Sequence, residues 1–223
     1  MTTIVIGTAN PGKVKEVERF LGDLPVVFRP MSEKELGLTI DEDANTYEEN
    51  ALIKAHAYVK ATGLAVIASD SGLEIEALNN WPGLHSRRLD SDRRQTDKEV
   101  IATVQKKLAD IPSEKRQYHF VVAYAFITPD GIEMVARAQH EGIMKEEMHS
   151  QEIPGFPMRR FWWVPKFNKY YNDLTEGEHG QINHNKLALE ELRPVIETYL
   201  KESKESDLPP LSLGREGESS AFK

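Results

Sequence analysis

An apolar run, Thr3 to Gly7, breaks at once into a polar turn, Thr8-Ala9-Asn10-Pro11-Gly12-Lys13. Beyond the turn, Val14, Val17 and Leu21 recur at helical spacing, with Lys15, Glu16 and Glu18 between them. Strand, turn and helix in direct succession commit this part of the chain to an α/β arrangement. The pattern then repeats. Val26 to Phe28 reads as a second strand. Thr46-Tyr47-Glu48-Glu49 reads as a capping box that starts a helix through Leu52, Ala55 and Val59, with Gly63 placed to end it. Leu64 to Ala68 reads as a strand, Ser69-Asp70-Ser71-Gly72 as a turn, and Leu73, Ile75 and Ala77 as an alternating strand. A second capping box at Thr96-Asp97-Lys98-Glu99 opens a helix carrying Val100, Val104 and Leu108. Phe120 to Ile127 and Glu133 to Glu141 flank Pro129-Asp130-Gly131, which predicts a hairpin. The stretch from Pro154 to Asp173 is aromatic and shows no period. Ala188, Leu192, Val195, Ile196 and Tyr199 predict a last amphipathic helix, with a kink or break at Pro194. The charged residues from about 203 to 223 read as a disordered tail. The expected fold is an α/β domain with a mixed sheet.

Composition narrows the function classes. The 223 residues suit one large domain or two small lobes. Zero cysteines exclude disulfides, thiolate metal sites and a cysteine nucleophile. A net charge of −8 argues against a nucleic-acid groove. It leaves room for a nucleotide site, because a few local lysines and a metal can hold one triphosphate. No apolar run is long enough to span a membrane, and no secretory leader is visible, so a cytoplasmic location is expected.

Three stretches carry candidate chemistry. A turn between strand and helix directs backbone N–H groups and the helix dipole at an anion. Thr8, Asn10 and Lys13 there can grip a phosphate chain; the plain alternative is a capped helix with a solvated lysine. Asp41, Glu42 and Asp43 precede the Thr46 helix, and Asp70 sits at what reads as a strand end. Such carboxylates suit Mg²⁺, which favours one or two carboxylates plus phosphate oxygens and water. Lys54 follows Asn50 by one helical turn and can neutralise leaving-group charge. An exposed acidic loop and a surface lysine are the alternatives.

The ordered set Thr8-x-Asn10-x-x-Lys13-x-x-Glu16, Thr46-Tyr47-Glu48-Glu49-Asn50-Ala51 with Lys54-Ala55, Ser69-Asp70-Ser71-Gly72-Leu73, and Pro82-Gly83 with Ser86-x-Arg88 resembles the inosine triphosphate pyrophosphatase (XTP/dITP diphosphatase) family. The resemblance covers residues 3 to 145 closely and continues less closely through Gly155-Phe156, Leu174-Thr175 and His184. It implies an elongated, two-lobed, twisted mixed sheet flanked by helices, an ITPase-like and anticodon-binding-like architecture. One domain over 1–202 with a central cleft, assembled as a homodimer, is implied with it. The implied activity is Mg²⁺-dependent hydrolysis of a nucleoside triphosphate to monophosphate and pyrophosphate. Thr8, Asn10 and Lys13 then grip the triphosphate, and Lys54 contacts phosphate. Asp70 binds metal and helps activate water, and Ser71 touches the nucleotide. Glu42 lies where the family has a metal-linked acid, with Glu49 a neighbour. Phe156, His179, His184 and Asn185 fall in the base region.

Three departures stand out. Ser69 replaces the first of two acids. Gly155-Phe156-Pro157-Met158-Arg159 replaces a Gly-Phe-Gly-Tyr-Asp pattern, so a donor stands where the family has an acceptor. Asn183-His184-Asn185 replaces Ser-His-Arg, and His179 stands where a lysine is usual. The expectation is retained chemistry with altered base selectivity. The alternative is a nucleotide-binding sensor weakened in catalysis.

Overall fold

The computed structural model describes residues 1–84, 89, 95–153 and 156–206. The chain runs β1 (Thr3–Gly7), α1 (Pro11–Leu21), β2 (Val27–Met31), α2 (Glu33–Leu36), α3 (Tyr47–Thr62), β3 (Ala65–Ile75) and β4 (Trp81–Gly83). It continues through α4 (Asp97–Leu108), β5 (Gln117–Ile127), β6 (Glu133–Met144), β7 (Trp162–Val164) and β8 (Lys169–Tyr170) to α5 (Glu176–Ile182) and α6 (His184–Ser206). Among the described residues eight strands make one mixed sheet in the order β2-β1-β3-β5-β6-β7-β8, with β4 paired to β3. No helix among them is long and apolar enough to cross a membrane.

Strand alternation sorts the packing. Val5, Val66 and Ala68 meet Ala51, Ala55 and Tyr58 of α3 on one face. Ile4, Ile6, Ala65 and Ile67 meet Val17 and Leu21 of α1 and Leu189, Leu192 and Ile196 of α6 on the other. Further along β3, Leu73 and Ile75 join Val104 of α4, Tyr118, Phe161 and Trp162 in a separate cluster.

The local signals hold where the backbone satisfies itself. Thr96 and Glu99 complete their capping box. Gly63 closes α3 at φ 67°, and Gly131 turns the β5–β6 hairpin at φ 99°. Five expectations change. Residues 69–72 are not a turn: β3 runs unbroken to Ile75, because β5 pairs with it residue by residue from Val66↔Ile127 to Ile75↔Tyr118. Ala77 lies in a 3-10 turn beyond the strand. At Thr46 only half of a capping box forms, since the Glu49 carboxylate accepts from Asn45 N–H instead. At Pro194 the helix neither breaks nor stops; the proline lies on the exposed face, where water can take up the freed Glu190 carbonyl. Helix α6 also includes residues 203–206, which the sequence assigns to the tail; residues 207–223, Ser86, Arg88 and Gly155 lie outside the described residues.

Candidate active site

Strand β3 changes partner along one edge. It pairs with β1 as far as Gly7↔Ala68, and with β4 only from Leu73↔Gly83. Between them, Ser69 to Gly72 have β5 on one side and, among the described residues, no strand on the other. The gap lies beyond the carboxyl end of β1, where the chain passes through α1 to β2 on one side while β3 lies on the other. Ligands of open α/β sheets gather at such a switch point.

The turn above the gap is braced from within. Asn10 caps α1, its Oδ1 accepting from Gly12 N–H at 2.9 Å, and Thr8 Oγ1 accepts from Asn10 N–H at 3.1 Å. Pro11 at the first helical position needs no partner for a missing N–H. Lys13 leaves the turn and donates to the Ser69 carbonyl at 3.1 Å. Its ammonium therefore stands in the gap.

Lys54 reaches the same carbonyl from the opposite face at 3.4 Å. Its side chain is only 10% exposed, and it pairs with Asp70 Oδ1 at 3.3 Å and with the Glu42 carboxylate. Alternation along β3 puts Asp70 on the α3 face with Lys54, and Ser69 and Ser71 on the other. Asn50 precedes Lys54 by one turn of α3 and faces the same way. Its Nδ2 donates to Asp70 Oδ2 at 3.3 Å, and its Oδ1 accepts from Ala44 N–H at 3.2 Å. This buried amide therefore ties the acidic loop to β3. The sequence pattern assigns Asn50 no role of its own, and its four-residue spacing from Lys54 is the one signal that places it here. Glu49, expected beside the acids, points to Asn45.

Among the described residues no three His, Asp or Glu side chains gather as a metal cage. Glu42 and Asp70 nevertheless converge on one ammonium, so the site already holds a cation between two carboxylates. That donor set fits a hard cation that takes its remaining ligands from phosphate and water.

The aromatic segment closes the far side. The Phe156 ring lies over α1: a Cβ on Gly12 would stand 3.1 Å from its Cζ. The Arg159 guanidinium lies 4.3 Å from the centre of that ring and 5.4 Å from that of Tyr171. His179 meets Tyr171 edge-on at 4.7 Å. His184, 1% exposed, sits 5.0 Å from Phe120 and stacks on His140. Burial, then His140 and Arg159, keeps the His184 pKa well below the usual imidazole range. Burial and Arg159 lower His179 as well. Asn185 is turned inward, accepting from the Tyr124 hydroxyl at 3.0 Å and lying 3.3 Å from His184 Nε2. The Glu16 Oε2 is buried, with no hydrogen-bond partner among the described residues.

A braced helix-capping turn, two lysines at one carbonyl and an acid pair bridged by one of them lie together at the open end of a parallel strand pair, in a mixed α/β sheet flanked by helices. Among α/β proteins of this kind the chain belongs to the Ham1 family, whose sequence model matches residues 4–195. It is 33% identical over 201 residues to a dITP/XTP pyrophosphatase of Leuconostoc mesenteroides, covering 89% of this chain and 98% of that protein. A dITP/XTP pyrophosphatase of Exiguobacterium sibiricum is 32% identical over 199 residues, with 89% and 99% covered. The solved Ham1 protein from Coxiella burnetii superposes with a TM-score of 0.74 at 31% identity, over 91% of this chain and 100% of that one.

Proposed function

We propose that this protein is a Mg²⁺-dependent pyrophosphatase that hydrolyses nucleoside triphosphates to monophosphates and pyrophosphate, with a base selectivity of its own. One observation carries the reading: Lys13 and Lys54 converge on the Ser69 carbonyl beside Asp70, in the gap where β3 has no neighbouring strand among the described residues. The α1 N-terminus, with Thr8 and Asn10, receives the phosphate chain. Lys13 and Lys54 meet the charge that grows on the leaving pyrophosphate as the bond from the α-phosphorus to the bridging oxygen breaks. Asp70, fixed by Asn50 and Lys54, orients the attacking water and takes up its proton.

Two lysines against Glu42 and Asp70 leave this centre without net charge, so a polyphosphate arrives uncompensated. Glu42 and Asp70 would hold Mg²⁺, which supplies the missing positive charge. Ser71, on the opposite face of β3, touches the nucleotide. Phe156, His179, His184 and Asn185 form the base end, where Arg159 reverses the charge expected from the resemblance.

The test is a pyrophosphate-release screen with Mg²⁺ and with EDTA. It covers ITP, XTP, dITP, the standard ribo- and deoxynucleotides and modified purines. Turnover should vanish with EDTA, and Asp70→Asn should lower kcat by about a hundredfold or more. Preference for ITP and XTP would sink altered selectivity. Tight nucleotide binding without turnover would replace the enzyme by a sensor.

A further inference from the structure

Lys54 is fully engaged where it stands. An ammonium carries three hydrogens. Lys54 has three acceptors around it: the Glu42 carboxylate, Asp70 Oδ1 at 3.3 Å and the Ser69 carbonyl at 3.4 Å. No hydrogen is left for a phosphate oxygen. To meet the charge on a leaving pyrophosphate, Lys54 must first let go of an acid. Its position is also the one a metal would need. The ammonium bridges Asp70 Oδ1 and Glu42, while Asp70 Oδ2 is taken by Asn50 Nδ2 at 3.3 Å. A divalent ion beside that ammonium would repel it with twice the energy of two unit charges at the same distance. Screening by water is limited there, because the Lys54 side chain is 10% exposed and that of Asp70 13%. Glu42, with 39% of its side chain exposed, leaves the position open to solvent on its own side. Departure of Lys54 would not orphan the Ser69 carbonyl, which keeps Lys13 at 3.1 Å.

We propose that Lys54 is a place-holding cation: in the metal-free protein its ammonium occupies the seat between Glu42 and Asp70, and it turns to the phosphate chain only when a divalent cation takes that seat. The proposal rests on the acid pair being the metal seat, as in the proposed function. It deepens that reading by putting the two contacts of Lys54, acid and phosphate, in order. The flexible four-carbon stem allows the change of partner without a change in α3. The two carboxylates are never left without a cation, which is the costly state for a half-buried acid pair. Without nucleotide a displaced Lys54 meets no anion, so the metal binds weakly. With a polyphosphate in place it meets one, so metal and nucleotide favour each other's binding.

The test is metal binding by full-length protein free of nucleotide. Mn²⁺ is the probe, and electron paramagnetic resonance reads the free ion. Lys54→Met keeps the length of the side chain and removes its charge; it should bind Mn²⁺ about tenfold or more tightly than the parent. Lys54→Arg keeps the charge and should bind no more tightly than the parent. A second measurement needs no variant. In parent protein labelled with ¹⁵N-lysine, the Lys54 ammonium signal should shift when Mg²⁺ is added. Equal Mn²⁺ affinities in the parent and Lys54→Met overturn the proposal, and so does a Lys54 signal that Mg²⁺ leaves unmoved. Glu42→Gln separates this failure from that of the metal seat itself. Mn²⁺ binding that survives Glu42→Gln unchanged would sink the seat, and the place-holding role with it. Binding that is lost in Glu42→Gln yet indifferent to Lys54 would sink the place-holding role alone.

Discussion

Replacing His140 by glutamine should flatten the acid limb of the stability curve. His140 is 3% exposed, and its Nε2 lies 2.8 Å from the Tyr118 hydroxyl. Burial first, then the charges of Arg159, His179 and His119, pushes its pKa from 6.5 down to about 3. In the unfolded chain the ring titrates near its ordinary value. Between about pH 6.5 and 3 the unfolded state therefore binds a proton that the folded state refuses. The contribution is fully present above about pH 6.5 and is lost as pH falls toward 3. At roughly 1.4 kcal/mol per pH unit, the loss reaches about 2 kcal/mol by pH 5 and at most about 5 kcal/mol at the acid end. Whole domains are stable by only about 5–15 kcal/mol, so this matters. Urea unfolding near pH 7.5 and near pH 5 measures it in the parent and in His140→Gln. Glutamine keeps an acceptor for Tyr118 and cannot protonate. His184 is held neutral by the same cause, so the variant retains that part of the slope. The parent should lose about 2 kcal/mol more than the variant over this interval. Equal losses would refute the assignment of a buried neutral His140.

Asn50→Ala should lower kcat/KM by about tenfold or more, because it frees Asp70 Oδ2 and orphans the Ala44 N–H; faster hydrogen exchange at Ala44 would accompany the loss. Gly72→Ala should destabilise by about 1–3 kcal/mol in urea titration, since the added Cβ would come within 2.6 Å of the Tyr47 hydroxyl and press on the Gly83 carbonyl. Thr96→Ala should cost about 1 kcal/mol through its complete capping box. A null effect at Thr96 would show that α4 is held by Val100, Val104 and Leu108 alone.

Much of the local structure was legible in the sequence. Thr96, Gly63 and the Pro129-Asp130-Gly131 turn act over a few residues on their own backbone, so their effect can be read without knowing the neighbours. Lys13, Lys54 and Asp70 were legible as residue types at ordered positions. Their convergence was not, because Lys13 and the carbonyl it reaches are 56 residues apart. The Ser69 to Gly72 stretch has the composition of a turn, and only the facing β5 makes it strand, by supplying hydrogen bonds that no local pattern encodes. Gly72 is required there by the close approach of Tyr47 and β4, not by a bend. Glu49 and Asn185 show the same limit at the level of side chains: sequence fixes what each can donate or accept, while the surrounding packing chooses the partner. Hydrogen bonding within a turn is settled by neighbours along the chain. The acid–lysine centre and the orientation of His184 depend on groups that meet only after the sheet has closed around them.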